Sequence, residues 1–203
     1  MAPAYRCADR GGSTLQTCTV TGLTSGHLDT ANVGAHAWTV TAQDGAGNTT
    51  SVVRHYTVRP AARQPDGLIR KRGRTWWKGG NVYGSAVDQT VRQRVHRRHT
   101  AVARWRVQND GERADSFRLV GAGSTKRWKV RYFAAGVDVT RAVASGSFRT
   151  GVLAPGQQVR LRVTVTPTRR ARVGGVRVVT LRAVSTASAT AIDNVATRVT
   201  ARR

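Results

Sequence analysis

Residues 70–78, RKRGRTWWK, place four cations in five positions directly before two adjacent tryptophans and a further lysine. Several chemistries suit that spacing. Guanidinium and ammonium groups neutralise phosphates. Indole faces stack on nucleobases or offer an apolar platform to a neutral sugar. The candidate polyanion contacts are Arg70, Lys71, Arg72, Arg74, Trp76, Trp77 and Lys78, joined by the adjacent pair Arg97 and Arg98. A structural reading competes with both. Neighbours on a strand point to opposite faces, so one indole would pack inward, and the cations would be the solvated start of a β-domain. No paired RNP aromatics and no zinc spacing accompany the run.

Other reactive residue types are thinly spread. His96 and His99 in HRRH bring two imidazoles, with no cysteine or carboxylate cluster beside them, and two ligands make a poor metal site. On a strand, i and i+3 also face opposite ways. Asp44 and Asn48 in DGAGN, and Asp138 in GVDVT, are explained by Asx turns rather than by calcium. Glu112 is the one glutamate, and the aspartates are scattered. There is no G-x-S-x-G and no P-loop. The expectation is a chain without catalytic residues, metal or cofactor.

The charge is unevenly placed. The formal net charge is +24, and residues 1–60 hold four arginines against three aspartates, so 23 of those net charges fall in residues 61–203. Arginine over lysine fits a GC-rich genome, but that bias does not explain the scarcity of acids. An anionic partner for the second part is one reading; a merely basic surface is the other.

Cys7 and Cys18 are the only cysteines. A close pair followed by strand-like segments reads as a disulfide formed in an oxidising compartment, with two buried thiols as the alternative. Such a short loop would contribute about 3 kcal/mol on the chain-entropy account. No 18-residue apolar run encodes a transmembrane helix. The start, MAPAYRC, has neither a basic n-region nor an apolar h-region, so a secreted placement would need a signal outside this sequence.

The elements that must position these residues are strands. AHAWTVTAQD alternates Trp38, Val40 and Ala42 against Ala37, Thr39 and Thr41, then DGAGN turns into TTSVVRHYTV, which would put Tyr56 and Val58 in a core. RPAARQPDG breaks the pattern with two prolines and a Pro-Asp-Gly turn signal. Beyond it, Ala101, Ala103, Trp105 and Val107 alternate with Val102, Arg104 and Arg106. Trp128, Val130 and Tyr132 alternate with Lys129 and Arg131; Val159, Leu161, Val163 and Val165 alternate with Arg160, Arg162 and Thr164. Two further strands follow, and no segment shows a convincing helical period. The expected fold is all-β, two tandem β-sandwich domains: 1–60 with a disulfide, 61–67 a linker, and 68–203 larger and strongly basic. Many arginines, among them 92, 94, 104, 106, 160 and 162, fall on the polar phase of these strands. They are first a solvated sheet face and only then a binding face.

Residues 5–58 resemble the bacterial Ig-like, hyalin-repeat-like modules of secreted and surface proteins. The carriers are Tyr5 before Cys7, Asp9, Cys18, LDT at 28–30, the Gly34 entry into HAWTVTAQD, Gly47-Asn48 and the closing YTV at 56–58. The resemblance implies a seven-strand-like sandwich with Cys7 bonded to Cys18, serving as a spacer or adhesion module. Residues 65–203 are similar to a sandwich module found toward the C-terminus of actinobacterial extracellular proteins, on PDGLIR, NVYG, VQNDGERADSFRLVG, VRYFAAGVDVT and GVLAPGQQ. The run at 70–74 and Arg97-Arg98 are denser in charge than that resemblance implies. The function expected is a non-catalytic extracellular stalk or cell-envelope module that meets anionic wall or extracellular polymers. The alternative is an extracellular nucleic-acid-binding protein acting through the basic second domain.

Overall fold

The computed structural model describes residues 1–9, 11–59 and 62–203. The chain divides into two compact units, Met1–Pro60 and Ala61–Arg203. Strands dominate both, and the fold is all-β.

The first unit is one antiparallel sheet of β1 (Leu15–Thr21), β2 (Gly34–Asp44) and β3 (Thr49–Val58), in that order. Asp44 ties the β2–β3 hairpin. Its carboxylate accepts from the amides of Ala46 and Asn48, the Asn48 side chain and the Ser13 hydroxyl. These bonds, the Asn48 side chain first, hold its pKa below the usual carboxylate range. The carboxylate is thereby consumed by the turn. Cys7 and Cys18 form a disulfide with Cα atoms 6.1 Å apart, which fastens the N-terminal segment to β1.

Two expectations change here. In place of a seven-strand-like sandwich, the described residues of this unit form three strands in a single layer. Tyr56 and Val58 are half-buried, and no described residue of the unit is fully buried. The physical reason is that one sheet has nothing to close its apolar face. Residues 22–33 are spent on turns, with Gly22, Ser25 and Gly26 at positive φ, rather than on further strands.

The second unit has two five-stranded sheets. The first sheet runs in spatial order β4 (Pro65–Lys71), β6 (Ala101–Asn109), β11 (Gln158–Pro167), β8 (Trp128–Ala134), β9 (Val137–Asp138). The second runs β10 (Phe148–Arg149), β7 (Phe117–Gly121), β12 (Val176–Ser185), β13 (Ile192–Arg202), β5 (Thr90–His96). Every pairing is antiparallel except β13 with β5, which is parallel. The inward phases meet in one core that includes Ile69, Trp105, Tyr132 and Leu161 from the first sheet and Phe117, Leu119, Leu181 and Val195 from the second. This is a β-sandwich. Alternation alone places these residues inside, and the arginines between them outside. Gly121 is obligatory where the layers meet, because a Cβ there would overlap the Tyr132 ring and hydroxyl. The Tyr132 hydroxyl donates to Ala122 O at 2.8 Å.

Two local readings are corrected. The segment expected as a linker over 61–67 does not extend to 67, and Pro-Asp-Gly is not a turn: Pro65, Asp66 and Gly67 are buried and pair with Asn109, Gln108 and Val107 of β6. Proline is tolerated because it is the first residue of an edge strand. A short helix, α1 (Thr140–Ser145), also exists, closed by Gly146 at φ 74° and burying Val143. At six residues it is too short for a 3.6-residue pattern to register.

Candidate functional site

The outer face of the first sheet gathers arginines from strands far apart in sequence. Register sets Arg70 opposite Arg104, Arg104 opposite Arg162, and Arg162 opposite Phe133. The neighbouring row sets Leu68 opposite Arg106 and Arg106 opposite Arg160. Five guanidinium stems thus rise from three adjacent strands. Like charges directly opposite one another on a sheet are destabilising. Nearby acids offset this at Arg106, which feels Asp66 and Asp110. Asp138 is exposed at the far strand and is engaged by Thr140 N at 2.9 Å, and Asp66 lies buried at the other margin.

Aromatic rings lie against three of the five guanidiniums. Arg70 Cζ stands 4.6 Å from the Trp77 ring centroid and Arg106 Cζ 5.0 Å from it. Arg162 Cζ stands 4.0 Å over Phe133. Such contacts are worth about 0.5–1 kcal/mol each at exposed sites. Arg70 also donates to the carbonyls of Arg74 and Thr75. Between these groups lies an open cleft of about 410 Å³ lined by Arg70, Trp77, Arg104, Phe133, Arg160 and Arg162. Arg104, Arg160 and Arg162 are exposed on this face, and exposed guanidiniums can take oxyanions in a forked manner. Because arginines lie against Trp77 and Phe133, those rings are poorly placed to stack a base or a sugar.

The sequence-derived candidates separate into groups. Arg70 and Trp77 join the cleft. Lys71, the next residue, belongs to the opposite phase of β4 and lines a different cleft. Lys78 bonds through its backbone to Ile69, N to O at 2.9 Å and O to N at 2.8 Å, closing the free edge of β4. Arg72, Arg74 and Trp76 are exposed on the 72–77 loop, Trp76 at 55%. Neither indole enters the core, contrary to the inward packing expected for one of them. The segment folds back along β4 through the Lys78–Ile69 bridge and so lies over the outer face. Arg97 and Arg98 sit in the β5–β6 turn, with Arg98 at φ 71°. That turn also brings the His96 and His99 rings to 6.0 Å in an edge-on pair, although a continuous strand would have parted them. Among the described residues no group of three or more His, Cys, Asp or Glu converges as a metal site.

Alternation exposes Arg104, Arg106, Arg160 and Arg162 in the sequence, but not their rows. A buried polar cluster beneath the 79–89 loop is not among the sequence-derived candidates. Asp193, 1% exposed, accepts from the amides of Gly67 (2.6 Å), Gly84 (2.8 Å) and Asn194 (2.8 Å) and from Gln89 Nε2 (3.0 Å). Burial raises its pKa. Asp66, 3% exposed, accepts from Asn81 N at 3.2 Å through one oxygen, while the other has no partner. Burial pushes Asp66 up to about 7, and Asp110 and Asp193 add to the rise. Gly79, at φ 108°, fits only as glycine: a Cβ would stand 2.6 Å from Gly67 O. One signal was available. Asp193 occupies the apolar phase shared with Val195 and Val199, where a carboxylate needs partners.

No protein-family model matches this chain, and no curated protein matches it. No helix among the described residues is long and apolar enough to cross a membrane.

Proposed function

We propose that this chain is a non-catalytic extracellular module, a structural or adhesion region. On this reading the arginine face of its sandwich attaches to the backbone of a phosphate-bearing wall or extracellular polymer. The observation that carries the reading is the row Arg70–Arg104–Arg162, held across three strands beside aromatic rings. A solvated face has no need to set like charges in register, whereas a polymer of regularly spaced anions relieves their repulsion. The disulfide suits an oxidising compartment, and an Ig-like stalk of an actinobacterial surface protein is the setting proposed. Binding to a poly(glycerol phosphate) matrix over a salt series tests the idea. Removing three phosphate contacts with Arg104→Gln, Arg160→Gln and Arg162→Gln should flatten the slope of log affinity against log salt by about two. Retention that is indifferent to salt, or to the triple substitution, would sink it.

A second reading, attachment to extracellular nucleic acid, draws on the exposed Trp76, whose indole is open to a base. It predicts that single-stranded DNA quenches tryptophan fluorescence and that Trp76→Ala abolishes the quenching. Equal affinity for DNA and for a base-free polyphosphate of the same charge, without quenching, would decide for the backbone reading.

A further inference from the structure

A second basic cleft lies away from the arginine face. The parallel pairing of β5 with β13 sets Arg92 opposite Arg198 and Arg94 opposite Thr200 on the outer phase of the second sheet. Arg92 and Arg94 are exposed and Arg198 is half-buried. Lys71, at the end of β4, reaches the same place from the first sheet. Together with Gln93 they line a cleft of about 460 Å³. Gln93 is steadied by its own bond to Thr197 Oγ1 at 3.2 Å. No carboxylate lines the cleft.

Exposed cations on an edge strand do oppose edge-to-edge pairing, and Arg92 and Arg94 on β5 serve that end. Edge protection does not account for Arg198, which is on the neighbouring strand, nor for Lys71, which comes from the other sheet. Four cations from three strands converge with a hydroxyl and an amide. Phosphate, with several oxygens to share among forked and point donors, matches that set better than a single carboxylate does.

We propose that this edge cleft is a second phosphate-binding site, so that the sandwich grips a phosphate-bearing polymer from both sheets. The inference rests on the backbone reading above for the class of polymer, but on different residues. Arg70 and Lys71 are consecutive and belong to opposite phases of β4, so the two sites flank one edge of the fold. Engaging a long polymer at both would raise avidity by about 10²-fold or more over either site alone.

The test is a calorimetric titration of the whole chain at low salt with inorganic tripolyphosphate, one molecule being expected at each site. The wild-type chain should take up about two equivalents. Arg92→Gln, Arg94→Gln and Arg198→Gln together should leave about one, as should Arg104→Gln, Arg160→Gln and Arg162→Gln together, and all six should leave none. These side chains point outward, so circular dichroism should stay unchanged and loss of a site is not confused with unfolding. An edge-cleft variant with unaltered stoichiometry overturns this inference while leaving the arginine face intact. A face variant with unaltered stoichiometry, beside an edge variant that loses a site, overturns the earlier reading and keeps this one. Absence of uptake by the wild-type chain overturns both.

Discussion

The carboxylate of Asp193 on β13 accepts the Gly67 amide of β4 at 2.6 Å, a hydrogen bond between the two sheets across 126 positions of sequence. The same carboxylate holds Gly84 N and Gln89 Nε2. It therefore clamps the loop that leads from Trp77 to β5 onto the body of the sandwich. Asp193→Ala would orphan buried donors, each at a cost of about 1–3 kcal/mol. The expected result is a loss of about 3 kcal/mol or more in urea unfolding of the second unit, with weaker anion binding as the loop loosens. An unchanged midpoint would show that the donors find water instead.

Asp66 makes stability depend on pH in an unusual direction. Its folded pKa, about 7, lies above the ordinary value of 3.8. Between those values the folded chain holds a proton that the unfolded chain has released, so stability falls as pH rises. The contribution is complete below about pH 4 and is lost through about pH 7. Urea unfolding at pH 5 and pH 8 should show the wild-type chain weakening more than Asp66→Asn. Equal losses in both would mean that Asp66 ionises as an ordinary surface acid.

Trp77 and Trp76 should respond differently to truncation. Trp77→Ala removes the stack of Arg70 and Arg106 and should cost about 1–2 kcal/mol, with a lower affinity for polyphosphate. Trp76→Ala should leave stability within about 0.5 kcal/mol of the wild type. Thermal melts of the two variants check this, and equal melting temperatures would remove the positioning role given to Trp77.

The first unit depends on its disulfide, since none of its described residues is fully buried. Cys7→Ser with Cys18→Ser should destabilise it by about 3 kcal/mol. Amide exchange should then quicken across β1–β3 while the second unit keeps its protection. Unchanged exchange in β1–β3 would show that the sheet holds without the clip.

Sequence periodicity by itself determined which side of each strand is apolar. Ala, Val, Leu, Trp and Tyr fill every second position in 101–107, 128–132 and 159–165, and the arginines between them can only face outward. The cysteine pair likewise named its own partner, for want of any other. Three features were decided only by tertiary structure. Arg70, Arg104 and Arg162 share a row because β6 pairs with β4 on one side and β11 on the other, and register is a property of that pairing rather than of any one strand. Asp66 and Gly67, a turn signal when read locally, became strand because β6 and Asp193 supplied partners from far along the chain. The described residues of the first unit form no buried core although its strands alternate well, because burial needs a second layer and alternation provides only one face.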